Sequence, residues 1–190
     1  MHSISAATAG LGFLLAVLWF DLMFDVQVWR YRGSDLPADV LDSIAPYYRR
    51  VTTDARPMNR LIALAMLATL AALLGELSHH DVSAGVAWAS LVLTAAAVGV
   101  AAVRTVRNAV RLGGQGDPRA AQSSLARTIF RDHLVCIAAI GTALMLQLAV
   151  LPILVVDEVR ELEGPPREGV TAKHTPSRRR PCCSITRMRS

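Results

Sequence analysis

The stretch WFDLMFDVQVW, Trp19 to Trp29, places two carboxylates on an otherwise apolar first segment. Asp21 and Asp25 stand four residues apart, so on a helix they share one face, a turn from each other. They close an apolar run that begins near Ile4. A charged side chain at the centre of a bilayer costs roughly 2.5 to 3.5 kcal/mol on insertion scales. Two on one face therefore call for a position near the interface, a shared proton or a cationic partner. The stretch reads as one end of a membrane span, and the other charges of the chain are read against it.

The 190 residues are 53% hydrophobic and only 5% aromatic, with a mean hydropathy of +0.37. The apolar residues are clustered, not periodic, and runs approaching or passing 18 residues are the signature of spanning helices. Four such spans are predicted, at about 4–28, 58–77, 82–103 and 131–156, giving an all-α integral membrane bundle. Residues 157–190 are polar and rich in proline, glycine and arginine, the composition of a disordered tail. The net charge of +5 does not point to nucleic acid, because the arginines fall in the loops and tail between apolar runs. The expected partner is the lipid bilayer, with a membrane-protein partner or a second copy of the chain also compatible.

Arg30 and Arg32 follow the first span, while only His2 precedes it among basic residues. By the charge bias of short loops this puts the amino terminus outside and loops 29–57 and 104–133 in the cytoplasm, as in a bacterial inner membrane protein. The amino terminus lacks the basic segment and cleavage site of a secretory signal, so the first span is expected to remain. Tyr47 and Tyr48 suit an interface belt. The turn GELSHHDVSAG, without arginine or lysine, belongs outside. The arginines of the distal tail lie more than 20 residues past the last span, where the charge rule weakens.

Between the first two spans, Leu36, Val40, Leu41 and Ile44 recur at helical spacing opposite Asp35, Asp39 and Asp42. A short amphipathic cytoplasmic helix is predicted over 34–45, with Pro37 in its first turn and a stop before Pro46. Its acidic face is expected to dock on a basic extension of the third span, RTVRNAVRLGG, which would end at Gly113 or Gly114. The third span carries Ala84, Gly85, Ala89, Ala95, Gly99 and Ala101, and small residues let helices approach closely, so it is expected to be the most buried.

The candidate site is a polar cluster at the cytoplasmic ends of the helices. Asp21 and His133 are the candidate acid and base. Asp25, Arg104, Arg107, Asn108, Arg111 and Arg131 are the candidate binding residues. From their expected depth, Asp21 is the buried carboxylate and Asp25 the one that reaches water. Ion pairing among these groups accounts for them equally well without any activity. Asp132 and His133 are adjacent, hence about 100° apart on a helix, and do not partner each other by proximity alone. His79, His80 and Asp81 form a ligand-rich trio with no second cluster. Cys136 lies within the last span, and the adjacent Cys182 and Cys183 form no disulfide framework. There is no phosphate-binding glycine loop, paired CxxC, nucleophile elbow or HExxH, so neither cofactor nor metal is expected.

The layout also resembles the small four-helix membrane proteins of the anthrone-oxygenase-like group over residues 4 to 150. The motifs that carry the likeness are PYYRRVTTDARPMNRL before the second span, VRNAVRLG after the third and RTIFRDHL opening the fourth. The proline of that group before the asparagine is here Arg107. The resemblance implies an oxygenase acting on an apolar aromatic substrate, with Asn108, Arg111, Arg131 and His133 in its site. Without it, the residues point to a non-enzymatic accessory subunit or small transporter. A ring-sized cavity lined by Asp21, Asn108 and His133 would favour the enzyme, and a filled interior the other reading.

Overall fold

The computed structural model describes residues 2–31, 33, 35–79 and 83–163. All regular structure among them is helical: α1 (His2–Asp25), α2 (Ala38–Arg49), α3 (Arg56–His79), α4 (Ala84–Val100), α5 (Val106–Gly114) and α6 (Arg119–Glu163). Four rods are long and apolar enough to cross a bilayer: Ile4–Arg30, Pro57–Ser78, Ala84–Gly114 and Arg119–Val150. Long apolar helices satisfy every backbone hydrogen bond within the segment, which is what a hydrocarbon environment demands. The chain is thus a helical, polytopic membrane protein.

The rods pack as α1 on α3 and α6, and α4 on α3 and α6. Where α1 crosses α3, a Cβ at Gly10 would lie 2.2 Å from Thr69 Oγ1, so glycine permits the crossing. The third span is more buried than the first two and equals the fourth, as its small residues predict, but the hub is α6. α6 touches α1, α4 and α5, while Gly85 and Gly99 of α4 face open space. Their small size serves no helix crossing among the described residues. α6 is also longer than the predicted 131–156 at both ends, because the polar turn before it is short and DEVRELE continues the helix to Glu163. The tail from residue 164, with Lys173, Cys182 and Cys183, lies outside the described residues, as do His80 and Asp81 of the histidine trio.

α1 ends at Asp25 and tightens into a 3-10 turn, Val26–Arg30. The link that follows is tied to α6: Leu36 N–H donates to Ser123 Oγ at 2.9 Å. The amphipathic helix then starts at Ala38, after Pro37, and does not stop before Pro46. It runs through that proline to Arg49 and continues as a π turn over Arg50–Asp54. Proline removes one helical hydrogen bond. Here Ile44, Ala45 and Tyr48, on either side of it, are all buried, and their burial holds the helix together.

Its docking also differs from expectation. The apolar face, not the acidic one, meets the bundle: Val40, Leu41, Ile44 and Tyr48 pack on Ala109 and Leu112 of α5 and on Leu125, Ala126 and Ile129 of α6. Asp35, Asp39 and Asp42 are exposed. Among the described residues no ion pair joins them to Arg104, Arg107 or Arg111. Arg104 pairs instead with Asp132 and Arg111 with Asp117. Exposed ion pairs contribute about 0 to 1 kcal/mol, whereas burying one large apolar side chain contributes about 1.5 to 3, so the apolar face decides the docking. At the contact, a Cβ on Gly113 would come within 2.7 Å of the Arg49 backbone nitrogen. Gly113 is therefore a close-approach residue, not the helix stop. The stop is Gln115, in the left-handed region at φ 49°.

Candidate functional site

The end of the bundle covered by α2 holds the cluster. Asp25, in the last turn of α1, is 0% exposed, and Asp21, one turn earlier, keeps 21% of its side chain accessible. Counting depth along α1 predicts the reverse. It fails because α2 roofs this end and seals Asp25 under Tyr48, while Asp21 lies toward the margin beneath Tyr47.

Each carboxylate has its own phenol. The Tyr48 hydroxyl donates to Asp25 Oδ1 at 2.6 Å, and the Tyr47 hydroxyl donates to Asp21 Oδ1 at 2.5 Å. The Tyr47 ring stacks on Phe24 with centroids 3.9 Å apart, and Tyr48 meets it edge-on at 5.4 Å. Both tyrosines belong to α2, outside the spans. Burial and the adjacent aspartates hold both phenols well above their ordinary range, so they remain neutral donors.

His133 of α6 completes the group. Its Nδ1 is 2.6 Å from Asp25 Oδ2, so both oxygens of Asp25 are engaged. With the proton on Nδ1 the imidazole donates to Asp25 in that contact and leaves Nε2 bare. Nε2 then faces Asp21 Oδ2 at 3.8 Å, longer than a hydrogen bond but close enough for strong attraction once Nε2 is protonated. The imidazole, nearly fully buried, lies between two carboxylates.

Asp132 points elsewhere, as the 100° step requires. It accepts from Arg104 through two guanidinium nitrogens and from the Thr105 hydroxyl at 3.3 Å. Arg104 and Thr105 lie on a π turn, Ala101–Thr105, that joins α4 to α5. Such a turn holds an extra residue and rotates the faces beyond it, which brings this pair onto α6.

The structure thus brings together Asp21, Asp25 and His133, and ties Arg104 off on Asp132. Arg107 is exposed, and Asn108 makes no hydrogen bond to the cluster among the described residues. Arg111 is held by Asp117. Arg131 is exposed on another face of α6, beside a cavity of about 310 Å3 that touches neither Asp21, Asn108 nor His133. Tyr47 and Tyr48 were legible only as belt residues; their proximity to Asp21 and Asp25 depends on the path of α2.

A second polar centre, absent from the sequence-based candidates, lies toward the other end. Glu76 of α3, 0% exposed, accepts from Gln147 Nε2 at 2.8 Å. Ser90 and Thr94 of α4 are also fully buried. Among the described residues, their hydroxyls and Gln147 Oε1 have no hydrogen-bond partner. An apolar plug of Leu11, Leu14, Ala97, Cys136, Ile140 and Ala143 fills the bundle between the two centres. In the sequence Glu76 falls in the outer turn GELSHHDVSAG, and only the packing of α3 places it inside.

This architecture defines a polytopic helical membrane protein with ionisable groups at two depths of its interior. Comparison with protein-family models, with curated proteins and with solved structures finds no match.

Proposed function

We propose that the protein is a small proton-coupled transporter, oriented with its amino terminus outside and the Asp21–Asp25–His133 end in the cytoplasm. The observation that carries this is the His133 imidazole, buried between two carboxylates, with Nδ1 committed to Asp25 and Nε2 facing Asp21. Ionisable residues inside spans are expensive and characteristic of proton relays. Histidine is the side chain whose charge changes near neutral pH. A proton arriving at Nε2 is stabilised by Asp21, and one leaving restores the neutral ring without disturbing the Asp25 contact.

The second centre supports the same reading. Gln147 lies fourteen positions beyond His133 on α6, about 21 Å along the helix, and the apolar plug lies between. Two titratable sites on either side of a seal suit alternating access, in which each is wetted in turn. The oxygenase reading taken from the family resemblance has less support. It needs Asn108 beside His133 around a ring-sized space, and the cavity of about 310 Å3 involves neither residue.

The test is the protonation state of His133 in bilayers, followed by NMR of histidine labelled with nitrogen-15 and assigned with His133→Gln. Nε2 is expected to change from bare to protonated as the pH is lowered. A resonance that stays in one form from pH 9 to pH 4 would overturn the proposal.

A further inference from the structure

We propose that the cavity beside Arg131 is a binding site for the headgroup of an anionic phospholipid. Residues 127, 130, 131 and 134 fall on one face of α6, opposite the 3-10 turn that follows α1. The cavity between them measures about 310 Å3. Its lining is partly apolar: Trp29, 65% exposed, meets the Phe130 ring edge-on at 6.0 Å, and Leu134 lies a turn further into the membrane-spanning part of α6. Arg127 and Arg131 add two guanidinium groups from the same face of α6.

Arg127 spends its donors on backbone, at 2.8 Å to the Tyr31 carbonyl and 2.5 Å to that of Gly33. Those bonds shape the site, and among the described residues no carboxylate pairs with this guanidinium. Arg131, four residues on, pairs with no carboxylate among the described residues. Arg49, Arg104 and Arg111 all have carboxylate partners at the same end of the molecule. Two cations with no carboxylate partner among the described residues, next to aromatic side chains that lead toward lipid, fit an amphiphile with a phosphate head and acyl tails. A free phosphate would use the guanidinium groups and leave Trp29, Phe130 and Leu134 without a role.

Trp29 supplies the readout. In the full chain with Trp19→Phe and Trp88→Phe, both exposed positions, its fluorescence is measured in phosphatidylcholine bilayers containing brominated phosphatidylglycerol or, at equal fraction, brominated phosphatidylcholine. The anionic lipid is expected to be favoured roughly fivefold in quenching. Arg131→Gln should remove the preference, and Arg107→Gln, an exposed arginine away from the cavity, should keep it. Equal quenching by the two lipids, or equal effects of the two variants, would overturn the site. So would loss of the preference on adding millimolar inorganic phosphate, which would place a free anion there. Should the tryptophan variants fail to fold, the unaltered chain and Arg131→Gln are compared for phosphatidylglycerol retained through detergent purification. Equal retention overturns the proposal, and retention by the unaltered chain alone supports it.

Discussion

Asp25 and Asp21 differ in what their loss leaves behind. Asp25→Asn removes a fully buried carboxylate that accepts from Tyr48 and contacts His133, and breaking a buried pair of ionisable groups costs about 3 to 5 kcal/mol. Asp21→Asn, at a partly accessible position with one phenol partner and His133 at 3.8 Å, should cost less, about 1 kcal/mol. Unfolding in mixed micelles of increasing denaturing detergent measures both, and equal losses would contradict the burial difference. Tyr48 adds a pH dependence. Burial first, then the charge of Asp25, holds its phenol well above the usual value of 10.0. The unfolded chain therefore ionises first, and the stabilising contribution is complete below about pH 10 and lost progressively above it. Stability should fall from pH 10 to 11.5 in the native protein and fall less steeply in Tyr48→Phe; parallel slopes would remove Tyr48 as the cause. Both aspartates were legible as site residues, since charge in an apolar run is visible in one dimension. Which of them is buried was not, because that depends on a roof contributed by residues more than 20 positions away.

At the scale of elements, α2 is held by its apolar face, so its acidic residues should be dispensable. Replacing Asp39 and Asp42 together by asparagine is expected to change stability by less than about 1 kcal/mol, whereas Ile44→Ala, at a completely buried position, should cost about 2 to 5. The reverse order in the same unfolding assay would restore the charge-docked arrangement. Gly113 and Gly114 offer a matched pair. A methyl at Gly113 meets the Arg49 backbone, which cannot move without dragging α2, while one at Gly114 meets nothing within 4 Å. Gly113→Ala should destabilise by about 1 to 3 kcal/mol, and Gly114→Ala should be near neutral; similar effects at the two sites would deny the close approach. The amphipathic period of α2 was readable because it is local. Its continuation through Pro46 was not, since local backbone preference opposes it and the burial that prevails comes from α5 and α6.

For the whole molecule, orientation is the property with the widest consequences. Single cysteines at Ser83 and Ala120, exposed and at opposite ends of the spans, are introduced with Cys136, Cys182 and Cys183 replaced. In intact cells an impermeant thiol reagent should label only the Ser83→Cys protein. Labelling of the Ala120→Cys protein alone, or of both equally, would reject the orientation on which proton uptake from the cytoplasm is framed.

Hydropathy and charge bias belong to the chain itself, and from them alone came the four spans, the amphipathic helix between the first two and the gathering of arginines at one end. These depend on transfer of each segment between water and lipid, which needs no knowledge of its neighbours. The pairing of Asp25 with His133 and Tyr48, the diversion of Arg104 to Asp132 and the burial of Glu76 against Gln147 depend on how helices rotate and cross. Residues up to 108 positions apart meet there. Inside the bundle every helix presents a similar apolar surface, so hydropathy is nearly indifferent to rotation. The close approaches at Gly10 and Gly113, the π turn after α4 and the lid formed by α2 set it, and these exist only once the helices are packed.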